Sequence, residues 1–102
     1  MILETAILNI KSGMSNEFEI AFQKAANIIS SMPGYISHDL QKSLEVSDRY
    51  LLLVYWQTLE DHTIGFRQSE PYQNWKRLLH HFYDPFPVVE HYYSVTSTPV
   101  GN

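Results

Sequence analysis

The sequence predicts an α+β domain in which a four-stranded antiparallel sheet carries its helices on one face. Three observations point there. Stretches of strand-like and helix-like periodicity follow one another in the order β-α-β-β-α-β, with the second helix broken in two. The run 50–56 (YLLLVYW) is almost wholly apolar and rich in aromatic and β-branched residues, as a central strand covered on both faces reads. The chain has 102 residues, enough for one domain and one hydrophobic core. That order of elements is the split βαβ, or ferredoxin-like, arrangement.

Residues Ile2 to Ile10 alternate as a first strand, with Ala6, Leu8 and Ile10 on one side and Leu3, Ile7 and Asn9 on the other. Gly13 marks a turn. A helix follows, with Ser15 or Asn16 as its cap and Phe18, Ala21, Phe22, Ala25, Ile28, Ile29 and Met32 as its apolar stripe. Pro33-Gly34 ends it. Tyr35 to Lys42 alternate as a second strand that groups Ile36, His38 and Leu40. A polar loop, Ser43 to Asp48, leads into the central strand, whose faces are Tyr50, Leu52, Val54, Trp56 and Leu51, Leu53, Tyr55.

Thr58 and Asp61 have capping-box spacing, so a short helix starts there with Leu59, His62, Thr63 and Phe66 facing inward. Ser69 caps the next helix, and Pro71 sits in its first turn, where a missing N–H does no harm. Its inner side is Tyr72, Trp75, Leu79 and Phe82; Gln73, Asn74, Arg77, His80 and His81 fall on the polar side. Asp84-Pro85-Phe86-Pro87 breaks the helix, and Val88 to Val95 form a last strand. The domain is expected over residues 1–95, with 96–102 as a tail.

Composition narrows the function. A net charge of −4 with scattered lysines and arginines argues against nucleic acid or an anionic membrane as the partner. The absence of cysteine removes thiol nucleophiles, thiolate metal sites and disulfides. No signal-peptide pattern or membrane-span-length apolar run is present, so a cytoplasmic location is expected. The 14% aromatic content is high for a small domain and points to an aromatic pocket, a subunit interface, or both. The second face of the sheet would carry Leu3, Ile7, Leu51, Leu53, Tyr55 and either Val88 or Tyr92, an apolar area that is normally covered. A second copy of the chain is the simplest cover, and a homodimer is expected.

Trp56 and His62 are the candidate reactive pair. An imidazole, with its ordinary pKa near 6.5, could serve as general base or hydrogen-bond partner at the mouth of a pocket between sheet and broken helix. The structural alternative has Trp56 as core filling and His62 bonded to a backbone carbonyl. The five histidines show no metal-ligand spacing, so no metal site is expected. His38 and His91, on strands, could reach either a pocket or the subunit seam. Arg67 is expected to point away from His62, toward Glu60, Glu70 or Asp84. There is no Gly-rich phosphate loop and no nucleophile elbow.

The pieces MPGYISH (32–38), YLLLVYWQTLEDHTIGFRQSEPYQNW (50–75) and VVEHY (88–92), with Gly13 and Phe18, resemble the antibiotic biosynthesis monooxygenase family over residues 1 to about 95. The resemblance implies a ferredoxin-like protomer, a dimeric α/β barrel made by packing two sheets, and a hydrophobic pocket in each subunit. Quinone-forming members oxidise phenolic polyketides with molecular oxygen and without flavin, haem or metal. Trp56 stands where those members end their third strand with tryptophan. His62 replaces a reactive tyrosine and Leu52 a polar asparagine. A haem-degrading branch uses an asparagine, a tryptophan and a histidine where this chain has Ala6, Phe66 and Lys76, so haem degradation is not expected. The implied function is cofactor-independent oxidation of a small phenolic or aromatic compound by Trp56 and His62, with Phe22, His38, Leu52, Phe66 and Tyr72 contacting substrate. Its rival is a dimeric small-molecule-binding or accessory protein without catalysis.

Overall fold

The structure is a computed structural model, and residues 1–98 are described; the expected tail at 96–102 therefore lies partly outside the described residues, at 99–102. Strands β1 (Ile2–Asn9), β2 (Tyr35–Lys42), β3 (Arg49–Trp56) and β4 (Val89–Tyr92) form one antiparallel sheet in the order β2-β3-β1-β4. Helix α1 (Ser15–Ile29), a π-helical turn (Asp61–Phe66), helix α2 (Glu70–Leu79) and a 3₁₀ turn (His80–Phe82) supply the helical layer. Ala6, Leu8, Leu52, Val54 and Trp56 on the sheet meet Phe18, Ala25, Ile29, Phe66 and Leu79 from that layer, and all ten are buried. Each fully buried large apolar side chain contributes about 1.5–3 kcal/mol.

The barrel implied by the family resemblance is not present. The sheet is open, because β2 and β4 lie at its opposite ends with β3 and β1 between them, and each pairs on one side only. Closure would require those outer strands to meet. The helices do cover one face of the sheet, as expected.

Several element ends differ from the sequence reading, each for a local reason. Helix α1 starts on Ser15 without a side-chain cap, because the Ser15 hydroxyl donates instead to Asp48 in the β2–β3 loop. It ends at Ile29 rather than Met32, where tighter bonds from Ser31 and Met32 to Ile28 and Ile29 close the last turn. A bulge between Tyr35 and Ser37 shifts the side-chain alternation of β2, so Tyr35, not Ile36, shares a face with His38 and Leu40. The last strand shrinks to four residues.

Both start signals of the broken helix hold. The Thr58 hydroxyl accepts from the Asp61 N–H while the Asp61 carboxylate accepts from the Thr58 N–H, and Ser69 accepts from the Tyr72 N–H.

Gly34 turns the chain between α1 and β2 with φ of +83°, and a Cβ there would stand 2.2 Å from the Asp61 side chain. Gly34→Ala is therefore expected to cost about 1–3 kcal/mol, from strain at positive φ and displacement of the capping carboxylate. Urea-denaturation midpoints of the two proteins measure it.

Candidate functional site

Glu4 on β1 and His91 on β4 are direct cross-strand partners. Both lie on the helix-covered face. Trp56 ends β3 beside them, and its indole Nε1–H donates to Glu4 Oε1 at 2.9 Å. The π-helical turn then lays the His62 ring flat on the indole, at 15° and 5.4 Å between centroids. That places His62 Nε2 3.3 Å from Glu4 Oε1 and His62 Nδ1 2.7 Å from His91 Nε2. His62 thus stands in a row between a carboxyl and a second imidazole, and is not satisfied by a backbone carbonyl.

Beyond this row lies a cavity of about 400 Å³, between the β1–β4 side of the sheet and the broken helix. Glu4, His62, Phe66, Tyr72 and Trp75 form much of its wall. Volume and mixed lining suit a small aromatic molecule. Arg67 stands at the wall and is exposed. Among the described residues it makes none of the ion pairs expected with Glu60, Glu70 or Asp84. The cause is the π-helical hydrogen bond from Arg67 N–H to the His62 carbonyl, which stacks residue i+5 over residue i. His80, expected on the polar side, also reaches the cavity because the 3₁₀ turn follows α2 there.

Burial sets the proton affinities. Glu4 is 5% exposed, and desolvation raises its pKa against the opposing Trp56 hydrogen bond and the Arg67 charge. His62 is 3% exposed, and desolvation, then Arg67, then His91 lower its pKa to about 3. Burial also lowers His80 and His91 and raises Tyr72 and Tyr83. The Glu4–His62 contact is thus no ordinary ion pair, since both shifts favour the uncharged forms.

A model of the antibiotic biosynthesis monooxygenase family matches residues 1–78. The chain belongs to the antibiotic biosynthesis monooxygenase family. It is 60% identical over 95 residues to the uncharacterised protein YczJ of Bacillus subtilis (strain 168), covering 93% of this chain and all of that one. A crystal structure from Bordetella bronchiseptica assigned to the same family superposes with a TM-score of 0.88 at 30% identity, over 93% of this chain and 97% of that one. SnoaB, a cofactor-independent oxygenase of Streptomyces nogalater, shares the fold with a TM-score of 0.72 at 17% identity, over 98% and 97% of the two chains.

Within this antibiotic biosynthesis monooxygenase fold the expected site residues divide into two groups. His62, Leu52, Phe66 and Tyr72 line the cavity, and Trp56 is buried behind His62. Phe22 and His38 do not line it; they pack edge to face against each other, and His38 Nδ1 pairs with the Tyr35 hydroxyl at 2.6 Å. Glu4 is a site residue that the sequence reading misses, because one acidic residue in an alternating strand reads as solvent-facing. Its position two residues before Ala6, in phase with Ala6 and Leu8, is the signal that could have found it. No helix among the described residues is long and apolar enough to cross a membrane.

The depressed His62 pKa has a stability consequence. The ring binds a proton at pH 6.5 when unfolded and only near pH 3 when folded, so its contribution is lost as pH falls through that range. Raised Glu4 acts oppositely, gaining stability as pH falls toward its unfolded value of 4.5. Below pH 4.5 the Glu4 gain stops and the His62 loss continues, worth about 2 kcal/mol down to pH 3. His62→Gln is expected to lose stability less steeply over that interval, read from urea midpoints at its two ends.

Proposed function

We propose that this protein is a cofactor-independent oxygenase acting on a small phenolic or otherwise ionisable aromatic compound. The observation that carries the reading is the cavity itself: aromatic side chains line much of it, and Glu4 and His62 stand together on its wall. A bound hydroxyl loses its proton there, and the Arg67 guanidinium at the wall stabilises the resulting anion. The electron-rich ring then reacts with molecular oxygen. One oxygen atom stays as a new carbonyl, and the other leaves as water with two substrate hydrogens. Membership of the family and the shared fold with SnoaB support the same chemistry. Oxygen uptake with a panel of hydroquinones and anthrones tests it.

Leu52 favours one rival. It puts an apolar side chain on the cavity wall where the quinone-forming members carry an amide, which suits binding without turnover. Ligand binding with no oxygen uptake across the panel selects that rival.

The working unit is a homodimer packed through the open sheet faces. Ile7, Leu51, Tyr55 and Tyr92 are 53%, 36%, 37% and 49% exposed on the face that bears no helix. Leu3 and Leu53 continue the same apolar surface. Light scattering on a sizing column is expected to give twice the chain mass at micromolar concentration, and Leu51→Glu with Ile7→Glu to give monomer. A monomeric native protein overturns the assignment.

A further inference from the structure

We infer that Glu4 is the group that takes the substrate's proton, and that His62 and His91 are the path by which the proton leaves for solvent. The inference rests on the oxygenase reading for its purpose, but its geometry stands independently. Both recorded contacts of the Glu4 carboxyl, to the indole N–H and to the His62 ring, fall on Oε1, leaving Oε2 as the oxygen that a bound hydroxyl would meet. The three side chains come from three elements and meet in sequence: β1, the π-helical turn, β4. They form a row rather than a convergent cluster, and among the described residues no group of three such ligands is placed to hold a metal ion. His91 is half-buried, so the row runs from the cavity's inner wall to water.

The other titratable groups around Glu4 do not compete for the role. Arg67 carries no acceptor lone pair. Tyr72 and Tyr83 hold their protons more tightly than usual, because burial disfavours their anions. The Glu4 carboxyl is shifted upward, toward the range where a general base works at neutral pH.

The step balances with this chain's own atoms. The substrate O–H bond breaks, its electron pair stays on oxygen, and the proton joins Glu4 Oε2. The carboxyl then turns about its Cγ–Cδ bond to carry that proton to the side facing His62 and gives it to His62 Nε2, while His62 Nδ1 releases one to His91 Nε2 and the His91 ring gives one to water. The two transfers at His62 are concerted, because its low basicity leaves the imidazolium unpopulated. Once product has left, the His62 Nε2 proton passes to water in the cavity as His91 returns one to Nδ1, which restores the starting tautomer.

The probe is 4-nitrophenol, whose phenolate is yellow and whose neutral form is colourless. The native protein is expected to bind it as the yellow anion at a pH where the free dye is colourless. Glu4→Gln keeps an acceptor for the Trp56 N–H and is expected to bind the dye colourless. A native complex without the yellow band, or a Glu4→Gln complex that keeps it, overturns the assignment. His91→Gln is expected to leave the colour unchanged but to slow its relaxation after a pH jump by an order of magnitude, with added imidazole restoring the rate. Unchanged relaxation in His91→Gln overturns the exit path. Neither reading needs turnover: colour and relaxation as expected, with no oxygen uptake across the panel, would remove the oxygenase reading and leave the proton path standing.

Discussion

Truncating Trp56 to alanine is expected to remove about 3–5 kcal/mol of folding stability. The indole is fully buried at the end of the central strand. It stacks on His62, leans on Phe66 at 5.8 Å and meets the edge of Tyr35 at 6.2 Å. Deleting it leaves a void between sheet and π-helical turn, and takes from Glu4 the donor that offsets part of its burial. A domain of this size has roughly 5–15 kcal/mol in all, so the variant should sit close to its unfolding midpoint. Trp56→Phe separates the two effects. It keeps a single aromatic ring and loses the N–H with part of the indole volume, so about 1–3 kcal/mol for the orphaned buried acceptor comes with a smaller cavity than in Trp56→Ala. Urea melts followed by far-UV circular dichroism read both. A Trp56→Ala variant within about 1 kcal/mol of native would mean that the indole is not the floor on which the site is built.

How far the site could be read without coordinates depends on the range of each signal. Strand β3, the stripe of α1 and the two helix starts at Thr58 and Ser69 announce themselves through spacings of two to four residues, and the fold places them as expected. The candidate site depends on longer reach. Glu4 meets Trp56 across 52 positions, and His62 meets His91 across 29, so no window along the chain contains either pair. Ideal helical spacing puts Arg67 on the side away from His62, but the turn is wound wider and brings it to the cavity wall. The bulge in β2 exchanged Ile36 for Tyr35 in the same way, by adding one residue to a strict alternation. Phe22 and His38 carry the right chemistry for a pocket, yet α1 holds Phe22 over β2, the strand that bears His38, while the cavity opens over the β1–β4 side of the sheet. Only the sheet order, β2-β3-β1-β4, separates those two ends.

Glu4 and His62 are expected to behave as one unit in turnover. At neutral pH the His62 ring, with a pKa near 3, is uncharged and cannot retain a proton by itself. Glu4 can accept one but, 5% exposed, reaches water directly only through the cavity that the substrate occupies. Each therefore needs the other. Positioned proton transfer is worth about 10²–10⁴ in rate, or roughly 3–5 kcal/mol of barrier, and His62→Gln should lose that much in kcat/KM on the best substrate of the panel. Glu4→Gln should lose a similar amount. If the losses were independent, the double variant would fall by their product. For a shared path the second substitution removes nothing further, so the double variant should match the worse single one within about tenfold. Folding is checked separately by the circular dichroism of each variant, since both substitutions keep side-chain volume near native. Multiplicative losses would show that the two groups act on different steps, and the row from the cavity wall to His91 would then be packing rather than a path for protons.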